Sequence, residues 1–555
     1  LHWPSAKGEL IMAGLRFEGR ADAYLEWAVA SGFRWLYRDA ARSDRVDLLV
    51  DDGYGLIAPW ASPRALLTTG ASALPAWSWM ELAQALTVSR PALLKQLQAF
   101  ADPGRVVLGL IDSGIGVQWL KGWKGSLKKP IRQVFHWDME GASAAPMPRI
   151  SHGAHVLSWM AGQPPYTGFG FDADIASGCP LMLVNLPDAA VYDPTGRWLG
   201  RYVLDGLDYM VDQAIYIRAK RLVVNISWGP QTGPHDGSSL LERALGQRIV
   251  LAKQQLLDLS IVVAAGNSRE SRAHAQFDAD KGCQSLTWVV PPAGPAPSFL
   301  ELWWPQATDL SQAQATVQAP DGRLLELAGA GLVSQPHAHL VIVPHLSAAN
   351  GMRPMALLAL NPTGDTAQAA PHGRWQVSVK GIAGAAGRVH AYVARQTANL
   401  GGAYRGPDSY LDDPSYGQQG FARRPGPPRL GSWVAREGTL SGLATAAHAQ
   451  VYAAAGAVLS TGEAAAYSSE GPSAGGGTRR PDWALPTDET PLLKGLLGAG
   501  ARSGSVVRLV GTSMAAPQLA RLLLNGPPPL PPSSPWDRRL GHGLAQLGWR
   551  SRQRA

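Results

Sequence analysis

At 555 residues the chain has material for two to four separately cored domains, and 46% hydrophobic against 17% charged residues excludes a disordered protein. No apolar run reaches the roughly 18 residues of a membrane span, and no basic-then-apolar leader reads from its first residues, so the compartment stays open. The formal charge of +8 comes from scattered basic residues, with local exceptions only at Lys121 to Arg132 and in the tail "WRSRQRA"; with no basic helical stripe, no nucleic-acid partner is expected. Two cysteines, Cys179 and Cys283, exclude a disulfide framework and a four-cysteine zinc site but leave a single bridge open.

In chain order, residues 1–100 read as a small α/β segment. "ELIMAGLRF" is predicted as a strand, "ADAYLEWAVASGFRWLY" has helical spacing, "RVDLLVDD" is a second strand, and "WSWMELAQALTVSRPALLKQLQAF" is amphipathic. From Val106 the pattern becomes strand, loop, helix. "RVVLGLIDSG", "PLMLVNLP", "RLVVNISWG" and "SIVVAAGNS" are continuous apolar runs, as parallel strands buried on both faces require. The helical stretches "LDGLDYMVDQAIYIRAK" and "SSLLERALGQRIVLAKQQLL" separate the last three, which predicts an α/β fold with a mainly parallel sheet over 101–280.

Over 281–430 the texture changes. "GRWQVSVKG" and "GRVHAYVAR" alternate, "ATVQAPDGRLLEL" carries an Asp321-Gly322 hairpin signal, and "FLELWWP" and "AHLVIVP" add short strands, so an antiparallel β-sandwich is predicted. A Gly/Pro/Arg-rich connection leads back to α/β texture over 431–550, which ends in the proline-rich "NGPPPLPPSSPW".

Four residues at predicted element ends carry chemistry. Asp112 ends the strand of "LIDSG", His152 opens the helical pattern of "ISHGAHVLSWMAG", Asn267 follows the strand of "VVAAGNS", and Ser513 stands among small residues in "VGTSMAAPQLARLLL". Each alone has a plain structural reading: a turn carboxylate, a capping or packed ring, a turn amide, a helix cap. Together they supply a nucleophile, a base, a carboxylate to orient the base, and a donor to an oxyanion.

The order Asp, His, Ser is that of subtilisin, and "IDSG", "HGAH", "NISWG", "AAGN" and "GTSMAAP" resemble the successive signature segments of the subtilisin-like serine proteases. "YSSEGP", "RRPDWALP" and "RLGHGLAQL" are smaller echoes, and the likeness spans about 106 to 277 and 432 to 547. The resemblance implies a subtilisin-like fold interrupted by an inserted, jelly-roll-like β-sandwich, with residues 1–100 as a pro-segment or an accessory domain. It implies a serine endopeptidase with Ser513 as nucleophile, His152 as general base and acid, Asp112 orienting His152, and the Asn267 amide with the Ser513 N–H forming an oxyanion hole. Ser227, Trp228 and Gly229 match the edge that pairs with an extended protein or peptide substrate. Ala264, Ala265 and Gly266 match the opposite pocket wall, and His155 matches a structural position. No cofactor is expected; calcium is common in the family, but no Asp/Asn-rich loop with ligand spacing appears and no metal site is assigned.

The chain departs from the family pattern at Ala154, where Thr is usual, at Trp228, where a smaller apolar residue is usual, and at "ALPTDE", where an Ala-Pro-Gly turn is expected. Arg269 and Glu270, just past the pocket wall, are candidates to bias specificity. Two other readings stand beside the endopeptidase. One is a transamidase or macrocyclase that passes the acyl group to an amine; the other is a binding protein with a silent protease fold.

Overall fold

The computed structural model describes residues 7–12, 15–20, 34–39, 46–50, 106–115, 134–139, 152–162, 175–177, 179–187, 199–306, 308–346, 352–364, 369–396, 408–413, 431–472, 479–500, 505–524 and 535–545. Near the N-terminus four strands, β1 (Lys7–Met12), β2 (Leu15–Arg20), β3 (Arg34–Asp39) and β4 (Val46–Val50), form an antiparallel sheet in the order β2-β1-β3-β4. This corrects two expectations. "ELIMAGLRF" is a hairpin and not one strand, and the end of the predicted helix, Arg34 to Tyr37, lies in β3. The aromatic and bulky run Arg34–Tyr37 suits a paired strand as well as a helix, and here the cross-strand partners in β1 and β4 decide. The amphipathic stretch 77–100 lies outside the described residues.

The centre of the fold is a seven-stranded, all-parallel sheet. Its strands are β5 (Val106–Asp112), β6 (Val134–Asp138), β7 (Leu181–Asn185), β8 (Arg221–Ile226), β9 (Asp258–Ala264), β21 (Val451–Val458) and β22 (Trp483–Asp488), in the order β22-β21-β9-β8-β5-β7-β6. The uninterrupted apolar runs follow from burial on both faces. Val107, Ile111, Leu222, Val224, Ile261 and Val263 belong to the core beneath α2 (Leu199–Tyr216) and α3 (Leu240–Gln254). Leu108, Leu110, Leu181, Leu183, Val223 and Val262 face the core under α1 (His152–Met160) and α4 (Ala515–Leu523). The start of α3 is set locally by a capping box, with Glu242 N donating to Ser239 Oγ at 3.2 Å and Ser239 N donating to Glu242 Oε2 at 3.3 Å.

Between β9 and β21 in the chain lie two antiparallel sheets. The first takes β10 (His274–Asp278), β12 (Ser298–Trp303), β15 (Gly331–Gln335), β16 (Ala338–Leu346), β17 (Met352–Leu360) and β19 (Arg388–Val393), in the order β10-β19-β12-β17-β16-β15. The second takes β11 (Gln284–Val290), β13 (Gln314–Gln318), β14 (Leu324–Ala328), β18 (Gly373–Val379) and β20 (Tyr410–Asp412), in the order β14-β13-β18-β11-β20. They share one core, in which Trp288, Trp304, Trp375, Val377 and Val379 are buried. The alternation of β18 places Trp375, Val377 and Val379 inward and its polar residues outward. Asp321 and Gly322 lie in the link between β13 and β14, where Gly322 has φ +87° and its N–H donates to Ala319 O at 2.9 Å. Strand β10 already belongs to the first antiparallel sheet, a few residues before the change of texture read at 281. Cys179 is buried and Cys283 exposed, and no disulfide joins them.

Candidate active site

The parallel sheet brings the candidate residues together because β8, β5 and β9 are neighbours and all point the same way. Asp112 ends β5, Ser227 follows β8, and Asn267 follows β9, so the three share one carboxyl edge of the sheet. His152 arrives at the first residue of α1, whose backbone is pinned to that edge by Gly153 N donating to Ser113 O at 2.7 Å. Ser513 lies in a 3₁₀ turn, Thr512–Met514, that runs directly into α4.

Asp112 and His152 are in direct contact. The His152 Nδ1–H donates to Asp112 Oδ1 at 2.7 Å, and the same oxygen accepts from Ser113 N at 2.7 Å. Asp112 Oδ2 is buried without a hydrogen-bond partner among the described residues, so the contacts of the carboxylate there fall on Oδ1. Burial works to lower the imidazole pKa, but the charge and hydrogen bond of Asp112 outweigh it and hold His152 above the ordinary 6.5. With Nδ1 spent on the carboxylate, Nε2 of the neutral ring is left as a proton acceptor.

Asn267 is oriented from one side only. Its Oδ1 accepts from Thr512 N at 2.9 Å and from Thr512 Oγ1 at 3.1 Å, so the amide NH₂ turns the other way. Thr512 Oγ1 in turn accepts from Gly266 N at 3.1 Å. At Gly511, with φ +138°, a Cβ would come within 3.0 Å of Asn267 Nδ2; only glycine adopts this backbone and leaves that amide uncovered.

Ser513 is held through its neighbour Ser227. Ser513 Oγ donates to Ser227 O at 3.1 Å, and Ser227 Oγ donates to Ser513 O at 3.2 Å. The Ser513 hydroxyl is thus engaged by the carbonyl of Ser227, just after β8, and not by His152. Asn225 Nδ2 donates to Ser227 Oγ at 2.9 Å from within the strand. Asn225 and Thr512 are site residues that the sequence reading did not single out. The signal for Asn225 was present, since residues two apart in a strand share a face; the role of Thr512 depends on a partner some 245 positions away.

The two predicted walls flank one serine. Ser441 N donates to Ala265 O at 2.7 Å and Ser441 Oγ to Ala264 O at 3.0 Å, while a Cβ on Gly229 would lie 2.6 Å from Ser441 Oγ. Trp228 is half-buried and packs against the core beneath α2 and α3. Arg269 is paired with the buried Glu470 at 2.6 Å, and Glu270 lies 3.9 Å from Arg436, so both charges past the wall are engaged. His155 is buried, with Nε2 3.0 Å from Leu496 O and its pKa pushed down to about 4 by burial, so it stays neutral and ties α1 to the strand Leu496–Ala499. "ALPTDE" lies largely within β22 instead of forming a turn. Among the described residues no group of three or more His, Cys, Asp or Glu side chains is placed to hold a metal ion, and no helix is long and apolar enough to cross a membrane.

No protein-family model matches the sequence, and no curated protein matches it. The structure is similar to that of the Clostridium perfringens CspB protease, with a TM-score of 0.57 and 19% identity over 79% of this chain and 91% of the other. At that identity the likeness is one of fold: a mixed α/β architecture with a parallel sheet and additional antiparallel sheets, consistent with a subtilase-like fold.

Proposed function

We propose that the chain is a serine endopeptidase of the subtilisin-like type, which cleaves peptide bonds through an acyl-enzyme on Ser513. The observation that carries this reading is the 2.7 Å contact between His152 Nδ1 and Asp112, on the same sheet edge as an Asn267 amide turned outward beside Ser513. The likeness of the fold to a protease supports it. Attack requires Ser513 Oγ to leave Ser227 O by a side-chain rotation and pass its proton to His152 Nε2. The Oγ–C bond forms as the substrate carbonyl oxygen takes the negative charge, facing the Asn267 amide and the Ser513 N–H. The C–N bond then breaks, with the amine leaving on the proton from His152. Water repeats the sequence, giving its proton to His152 and releasing the acid, and Ser513 recovers its own.

Ser227 to Gly229 would pair with an extended protein or peptide substrate by edge addition, opposite Ala264 to Gly266. In this reading residues 101–280 and 431–550 form the catalytic body, 281–430 an inserted module, and 1–100 a pro-segment or accessory domain.

The test is covalent labelling of the purified chain with a fluorophosphonate probe, beside Ser513→Ala and a chain lacking residues 1–100. An adduct on Ser513, absent from the variant, is expected. Labelling only after removal of residues 1–100 would mean a competent site covered by its own N-terminal segment. Folded protein that labels in neither form would end the enzyme reading.

A further inference from the structure

The segment Ala466–Glu470 braces both turns of the candidate site from behind. Ser469 N donates to Gly266 O at 3.0 Å and Arg269 N to Tyr467 O at 3.4 Å, while Ser268 N donates to Ser469 Oγ at 3.0 Å. These bonds hold the turn that carries Asn267. The side chain of Tyr467 crosses to the other turn. Gly511 N donates to Tyr467 Oη at 3.2 Å, the Tyr467 hydroxyl donates to Thr487 Oγ1 at 2.9 Å, and Thr487 Oγ1 donates to Ala457 O at 3.4 Å. A relay of three hydrogen bonds therefore runs from Gly511 into strand β21. Burial, and then the Asp488 carboxylate, raises the Tyr467 phenol above its ordinary 10, so the hydroxyl keeps its proton.

Gly511 is where such an anchor matters. It has the conformational freedom of glycine and its bare Cα faces the Asn267 amide, where an added Cβ would lie only 3.0 Å from Nδ2, so the placement of its backbone sets the space in front of that donor. A change in that placement also tilts the N–H of Ser513, two residues on.

Resting on the serine-peptidase reading, we infer that Tyr467 is a positioning residue for the oxyanion donors: its hydroxyl fixes the Gly511 amide, which keeps the Asn267 amide uncovered and the Ser513 N–H in place. A ring that served only as packing would have no use for the hydroxyl or for Thr487 as its acceptor.

The experiment is Tyr467→Phe in the full chain, which removes one oxygen and retains the ring. The expected result is a fall in kcat of about tenfold, the order of one neutral hydrogen bond, with KM unchanged. Labelling of Ser513 by the fluorophosphonate should slow by the same factor, and the acid limb of the pH profile, set by His152, should not move. Thr487→Val should act in the same direction but less, and the double variant should be no slower than Tyr467→Phe, because both hydroxyls act in one relay. Wild-type kcat in Tyr467→Phe, or losses that add in the double variant, would overturn the inference while wild-type labelling keeps the peptidase reading intact. Should Tyr467→Phe fail to fold, Thr487→Val must still lower kcat, and an unchanged rate there overturns it. No labelling of the folded wild type, with or without residues 1–100, removes both.

Discussion

Asn267 and Thr512 are joined twice, by Thr512 N and by Thr512 Oγ1, and both bonds end on the same side-chain oxygen. An amide whose oxygen is held by two donors has its NH₂ fixed in the opposite direction, so in the proposed peptidase the oxyanion donor is oriented before any substrate arrives.

Asn267→Ala should therefore lower kcat by about 10²–10³ with little change in KM, the cost of losing one oxyanion donor. Thr512→Val, which retains the backbone bond but loses the hydroxyl, should cost about tenfold. Steady-state kinetics on a peptide substrate check both. A loss confined to KM would place Asn267 in ground-state binding.

The contact between His152 and Asp112 predicts the pH dependence of activity. The protonated ring cannot accept the Ser513 proton, so kcat/KM should rise with pH through a His152 pKa above 6.5. Asp112→Asn should shift that limb downward and cut kcat by about 10⁴. The same pair acts on stability with a defined sign: the raised pKa contributes stability that is full below pH 6.5 and is lost as pH rises through the folded value. The pH–rate profile of both proteins is the measurement.

A second set of histidines predicts acid sensitivity. His235 stacks on Tyr392 with centroids 3.9 Å apart, and His274 Nε2 lies 3.1 Å from His390 Nδ1, with Arg353 close enough to act on the charge of His235. Burial pushes His235 and His274 down to about 3 and His390 well below 6.5. These groups are neutral when folded, whereas the unfolded chain takes up protons below pH 6.5. Stability should fall as pH drops from 6.5 toward 4, by at most about 3 kcal/mol for each histidine. Thermal melts across that window check it, and a Tm that is flat or rises on acidification would refute it.

Ser441 predicts substrate size. It lies under Gly229 and donates to Ala264 O at 3.0 Å, which closes the space between the two walls. Cleavage should favour small residues on the acyl side of the scissile bond, and Ser441→Gly should shift the ratio of kcat/KM toward larger side chains by about tenfold, at a stability cost of about 1 kcal/mol. A library of peptides varied at that one position reads this directly; an unchanged profile would exclude Ser441 from the pocket.

How much of this could be read from the chain follows from the range of the interactions. The apolar runs of β5, β7, β8 and β9 were legible because burial on both faces leaves a continuous local pattern, and the alternation of β18 was legible because only one of its faces is buried. The N-terminal stretch is ambiguous in the sequence because Arg34–Tyr37 suits either period and cross-strand pairing settles it.

At the site, the types and order of Asp112, His152, Asn267 and Ser513 are properties of the sequence alone, since each stands at an element end marked by its neighbours. What only the tertiary structure decided is which atoms these residues offer. Ser513 spends its hydroxyl on Ser227, Asn267 turns outward because Thr512 holds its oxygen, and Tyr467 reaches Gly511 from another loop. Hydrogen bonds between groups this far apart in the chain leave no periodicity behind, because they depend on strand order, and strand order exists only once the sheet has formed.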